Sequence, residues 1–171
     1  PMPASAAAIT RARKNMKSQG SAVPEWLAHQ APARGSWATA LWIRPSQSGR
    51  LVHAAAVGDT CLFLLDGFTC LWSFPLHDPT EFNSTPALIG DRGASPPFEA
   101  RVISTARVRR PSILLATDAL AARLLAEPPE PRAALLRFLW LCGNNGFVRW
   151  IDTETGSGRM REDDCTLLWL R

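Results

Sequence analysis

Ser112-Ile113-Leu114-Leu115-Ala116-Thr117-Asp118-Ala119-Leu120 joins a short apolar run to a single aspartate and then to a helix-forming stretch. Residues 113–116 are apolar without helical periodicity and too few for an ordinary helix, so 112–117 read as a buried strand. Asp118 ends that strand, and Ala119 to Leu125 reads as a helix stopped by Pro128-Pro129. A carboxylate at the end of a buried strand is held by rigid backbone, at a rim that water and ions can reach.

Upstream of this stretch the texture is that of short strands. Trp37 to Ile43 is a strand candidate, Pro45 to Gly49 a turn, and Leu51 to Val57 a second strand. Gly58-Asp59 makes a tight corner before a third strand, Cys61 to Leu65, and Asp66-Gly67 gives a hairpin turn into Phe68 to Trp72. Four short strands joined by turns imply an antiparallel meander. Residues 75–100 hold five prolines (Pro75, Pro79, Pro86, Pro96, Pro97) and read as a long surface loop, and Val102 to Val108 as a further strand.

Downstream, Leu135, Leu136, Leu139 and Trp140 form a helical face within Arg132 to Leu141, ended by Gly143, and Phe147 to Ile151 continues in helix. Thr166 to Leu170 is a last strand, directly after Asp163-Asp164. Residues 1–34 read as an N-terminal helical segment in two pieces, Ala4 to Lys17 and Glu25 to Ala28, with residues 35–171 forming the main domain. No internal repeat is present.

Composition narrows the function classes. The 171 residues are enough for one domain with its own core, and 46% apolar against 20% charged excludes global disorder. The net charge of +4 comes from scattered arginines. Arg107, Arg109 and Arg110 form the densest group, yet no aromatic residues interleave them for base stacking, so no nucleic-acid partner is expected. The four cysteines (Cys61, Cys70, Cys142, Cys165) form no CxxC pair and sit in or beside apolar runs, as reduced thiols of a cytoplasmic protein do. His29, His53 and His77 show no zinc-ligand spacing. Neither a membrane span nor a signal peptide is legible, so no membrane partner is expected.

Three aspartates stand at strand tips: Asp59, Asp118 and Asp163. Hard cations such as Mg²⁺ and Mn²⁺ take oxygen ligands, and carboxylates that converge without a cation repel one another. Any one strand-end aspartate is more often a turn or cap residue than a ligand, and spacing alone does not overturn that reading.

The order of four segments adds more. Gly35-Ser36-Trp37-Ala38-Thr39-Ala40-Leu41, Val57-Gly58-Asp59-Thr60, Leu114-Leu115-Ala116-Thr117-Asp118-Ala119-Leu120 and Arg161-Glu162-Asp163-Asp164-Cys165-Thr166-Leu167-Leu168 follow one another along the chain. Together they resemble the metal-dependent protein serine/threonine phosphatase family (type 2C, or PPM), in forms like those of its bacterial members. The resemblance implies an α+β fold, an antiparallel β-sandwich flanked by helices, and a cytoplasmic hydrolase of phosphoserine and phosphothreonine. It implies Asp118 and Asp163 as direct ligands of a dinuclear Mg or Mn centre, and Asp59 at a weaker third cation or as a brace of the corner. The Pro-rich loop at 75–100 falls where the family carries its flap. Two cations sharing a water would supply the nucleophile, in keeping with the absence of a Cys-x5-Arg loop or a Ser-His-Asp candidate.

The departures carry their own expectation. The family's upstream segments, which carry its bridging aspartate and its phosphate-binding arginine, find no match in residues 1–34, which contain no aspartate and one acidic residue, Glu25. Asp118 is followed by Ala119 where many members carry glycine. With a start at Pro1-Met2-Pro3, the chain reads as the C-terminal part of a catalytic domain, lacking its N-terminal strands. A sheet so truncated exposes apolar edges, which predicts self-association or a complementing N-terminal segment. The expected partner is a phosphoprotein substrate, with a cognate kinase as a second. The alternative function is a non-catalytic (pseudophosphatase) regulatory or protein-binding module of the same fold.

Overall fold

A computed structural model describes residues 37–83, 85–90, 96 and 98–171. The expected N-terminal helical segment at 1–34 lies outside the described residues. The chain divides into two compact units, residues 1–38 with 88–96, and residues 39–87 with 97–171. The described part of the first unit is a two-stranded antiparallel pair, β1 (Trp37–Ala38) with β6 (Ile89–Gly90). A Cβ on Gly90 would come within 2.4 Å of the Trp37 ring, so glycine is what lets the indole lie against the backbone.

The described residues of the second unit form two antiparallel sheets and three α-helices. One sheet has the order β2-β3-β7, from Ala40–Pro45, Leu51–Val57 and Glu99–Ser104. The other has the order β5-β4-β8-β9, from Thr69–Phe74, Cys61–Asp66, Pro111–Ala116 and Leu167–Leu170. The helices are α1 (Asp118–Ala126), α2 (Pro129–Leu141) and α3 (Gly143–Gly156).

Strand β4 explains the layering. All five residues of Cys61-Leu62-Phe63-Leu64-Leu65 are buried, so this strand needs apolar cover on both faces. Cys61, Phe63 and Leu65 share a core with Leu120, Leu124 and Leu136 of the helices. Leu62 and Leu64 point the other way, into a core with Val52, Ala54, Ala56 and Ile103 of the three-stranded sheet. Strand β8 repeats the division, because Leu114 and Ala116 join the helical core while Ile113 and Leu115 join the other.

The expected meander breaks at Gly58. Strands β2 and β3 pair in one sheet, whereas β4 and β5 pair in the other. Gly58 has φ +93°, and a Cβ there would meet Thr39 Cγ2 at 2.4 Å and the Ala87 carbonyl at 2.9 Å. This left-handed corner carries the chain from one sheet to the next, which a simple hairpin turn would not do. The Trp37–Ile43 strand divides at Thr39, and the strand placed at 102–108 instead spans 99–104 with a turn after it. The 75–100 loop contains a short 3-10 turn, Pro79–Glu81, closed by a capping box between Asp78 and Glu81. Gly143, at φ +62°, ends α2, and α3 is a separate helix rather than its continuation.

Candidate metal centre

The three aspartates reach one neighbourhood by different routes. Asp118 is the first residue of α1, one position beyond Thr117, which ends the run from β8. Thr117 donates its N–H to the Thr166 carbonyl at 3.2 Å, and its Oγ1 accepts from the Thr166 N–H at 3.0 Å. This double link fixes the start of α1 against the approach to β9, and so brings Asp118 near the loop that carries Asp163. Asp59 sits in the bend between β3 and β4 and is 7% exposed.

Asp118 and Asp163 converge on one cation that the chain itself supplies. An Arg161 Nη donates to Asp118 Oδ2 and, at 2.9 Å, to Asp163 Oδ2. The other Asp163 oxygen, Oδ1, accepts from the Asp164 N–H at 2.8 Å. The Arg161 side chain is 52% exposed, so each of these pairs contributes at most about 1 kcal/mol to folding. Such a bridge holds the carboxylates together while remaining easy to displace.

Asp59 feels the same charges. Burial raises its pKa above the ordinary 3.8, the Asp118 carboxylate raises it further and Asp163 adds to this. Its own backbone N–H and Arg161 act in the opposite direction. The two pairing aspartates and Asp59 therefore share one electrostatic site.

Two carboxylates gathered on a single positive charge, with a third perturbed by both, are oxygen donors of the kind a hard divalent cation takes. Among the described residues, however, no group of three or more Asp, Glu, His or Cys side chains stands close enough together to hold a metal ion. Asp118 and Asp163 are brought together by Arg161, and Asp59 is their electrostatic neighbour.

A cleft of about 300 Å³ opens beside Asp118, lined by Pro79 and Phe82 of the Pro-rich loop, by the α1 face, and by Arg123, Arg159 and Arg161. Two of these arginines are committed elsewhere. Arg123 Nε donates to Glu154 Oε2 at 2.6 Å and its Nη pairs with Glu127, while Arg159 pairs with both Glu154 oxygens. Hydrogen bonds from Arg159, and then from Arg123, hold the buried Glu154 carboxyl down to about 2 against the opposing cost of burial.

Arg161 and the Glu154 cluster have no counterpart in the sequence reading. Arg161 lies two positions before Asp163, which hints at that contact, but its bond to Asp118 spans 43 positions and follows only from the fold. All four cysteines are free, and burial pushes the Cys61 thiol up to about 12, so it is chemically inert at neutral pH. Among the described residues no helix is long and apolar enough to cross a membrane.

No family model matches this chain, and no curated protein matches it either. Among solved structures it is similar to one described as the X-ray structure of the photosystem II phosphatase PBCP, at 14% identity and a TM-score of 0.40. That similarity covers 75% of this chain and 54% of the other, so the chain spans about half the length of its structural neighbour. At that TM-score the likeness assigns neither family nor function.

Proposed function

We propose that this chain carries the carboxylate half of a metal-dependent phosphomonoesterase site, acting on phosphoserine and phosphothreonine in proteins. The observation that supports the reading most is the convergence of Asp118 and Asp163 on one positive charge. The ordered segments around Gly58-Asp59, Asp118 and Asp163-Asp164 point the same way. In this reading the two sheets and their helices form the α+β sandwich of the phosphatase family that the sequence resembles.

Mg²⁺ or Mn²⁺, when bound, would neutralise the charge of a phosphate ester and make water a stronger acid. The protein residues do the holding and placing. Thr117 and Thr166 lock Asp118 to the loop of Asp163, so that the two carboxylates keep one spacing. Asp59 adds negative charge at the buried side, which favours a cation over bare water. The cleft under Pro79 and Phe82 gives a phosphopeptide a place to lie beside Asp118.

A second reading, a non-catalytic binding module of the same fold, is favoured by Arg161 already taking up one oxygen each of Asp118 and Asp163. The two readings separate on metal dependence. The full-length protein should release phosphate from a phosphothreonine peptide with Mn²⁺, lose that activity in EDTA and regain it on adding Mn²⁺. Hydrolysis that is indifferent to EDTA would sink the first reading, and no hydrolysis under any condition would leave the second.

A further inference from the structure

Arg123, Arg159 and Arg161 are each held by carboxylates, whereas Arg110 and Arg171 form no ion pair among the described residues. Both line a cavity of about 330 Å³ that shares no residue with the cleft beside Asp118. No acidic residue lines it, and two positive charges around one hollow attract an anion. Arg110 is held in place by its backbone: its N–H donates to Asp66 Oδ1 at 2.9 Å, and its carbonyl accepts from the Gly67 N–H at 3.0 Å. A Cβ on Gly67, at φ +61°, would stand 3.0 Å from an Arg110 Nη, so the guanidinium lies across the glycine of the β4–β5 hairpin. Arg171 stacks on Trp140, its Cζ 3.8 Å from the ring centroid, which leaves its in-plane N–H donors clear of the ring. Ser112 of β8 also lines the cavity; it is 7% exposed, and no described residue hydrogen-bonds its hydroxyl. A buried hydroxyl without a partner is costly, and an oxygen of a ligand would satisfy it.

We propose that the cavity between Arg110, Arg171 and Ser112 binds a phosphate monoester dianion carried by a phosphorylated side chain of a protein. Two guanidiniums balance a double negative charge, which favours a phosphomonoester over the single charge of a carboxylate or of a nucleic-acid phosphodiester. Each guanidinium presents a planar fork of N–H donors that matches phosphate oxygens, and the Ser112 hydroxyl supplies a further donor. Phe68 gives the hollow an apolar wall for the carbon chain that carries the phosphate. The ligand is held without being cleaved, because no carboxylate, histidine or cysteine lines the cavity to move a proton. It is a docking site, separate from the phosphomonoesterase site proposed above and independent of that reading.

The test is a calorimetric titration of the full-length protein in EDTA with a phosphothreonine peptide, its unphosphorylated form and inorganic phosphate, with melting temperatures recorded alongside. Wild type is expected to bind the phosphopeptide and not the unphosphorylated one. Arg110→Gln should bind it roughly tenfold more weakly, and Asp118→Asn no more weakly than wild type. Ser112→Ala should also weaken binding while melting no lower than wild type without ligand, since it removes an unpartnered buried hydroxyl. A merely structural serine would do the reverse, lowering the melting temperature and leaving binding unmoved. Binding that is lost in Asp118→Asn but kept in Arg110→Gln would place the phosphate in the Asp118 cleft and overturn the proposal. Failure of wild type to bind the phosphopeptide would overturn it too, and inorganic phosphate binding in that case would assign the hollow to the free ion.

Discussion

Arg161 donates a hydrogen bond to Asp118 across 43 positions of sequence, tying the loop before β9 to the first residue of α1. The same guanidinium takes up Asp163, so a single positive charge organises the candidate site.

Asp163 should respond to metal more weakly than Asp118. It is 43% exposed against 20% for Asp118, so water competes better for its oxygens. In thermal-shift measurements, Mn²⁺ is expected to raise the melting temperature of wild type, to raise that of Asp163→Asn by less, and to leave Asp118→Asn unmoved.

Asp59 gives a pH signature. Its folded pKa lies above the ordinary 3.8, so its contribution to stability is full below about pH 4 and is lost as pH rises through the raised folded value. Asp59→Asn cannot ionise and should remove that loss. Its melting temperature in EDTA at pH 7 is expected to exceed that of wild type, with the difference vanishing toward pH 3.

Glu154 titrates in the opposite sense. Its folded pKa of about 2 lies below the ordinary 4.5, so its contribution is present above pH 4.5 and is lost as pH falls toward 2. Glu154→Gln should cost about 2 kcal/mol at pH 7, read by urea unfolding, and almost nothing at pH 2. An equal cost at both pH values would show that Arg123 and Arg159 do not stabilise its charge.

Gly58→Ala should be among the most damaging small substitutions. It combines a left-handed backbone with a Cβ only 2.4 Å from Thr39 and 2.9 Å from the Ala87 carbonyl. A loss of roughly 2–3 kcal/mol is expected from equilibrium unfolding. Gly49→Ala, also at positive φ but with nothing within 4 Å, should cost less, about 1 kcal/mol.

Leu114 tests the core between the four-stranded sheet and the helices. It is fully buried and packs in one cluster with Phe63, Leu120 and Leu124. Leu114→Ala is expected to cost about 3 kcal/mol, measured by urea unfolding in EDTA.

Much of the fold was legible because it depends on local signals. The apolar runs at 51–57, 61–65 and 112–116 are strands, and the repeat through Leu135, Leu136 and Leu139 is a helix ended by Gly143. The division into two sheets was not, since it depends on the φ of Gly58 and on which strands pair with β4, and neither is written in periodicity. Likewise Asp118 could be singled out from its place between an apolar strand and a helix, whereas Arg161 could not. Its role comes from the Thr117–Thr166 link, a contact between segments 49 positions apart. Glu154 lies in a polar-looking helix and would pass for a solvated residue, yet two arginines bury it.

The most direct measurement is Mn²⁺-dependent hydrolysis of a phosphothreonine peptide by the full-length protein, wild type against Asp118→Ala, with both shown to be folded by circular dichroism. On the proposed reading a fall of about a hundredfold or more in kcat/KM is expected for Asp118→Ala, because the substitution removes one of the cation's two proposed carboxylate ligands. Equal rates in the two proteins would contradict a metal site at Asp118.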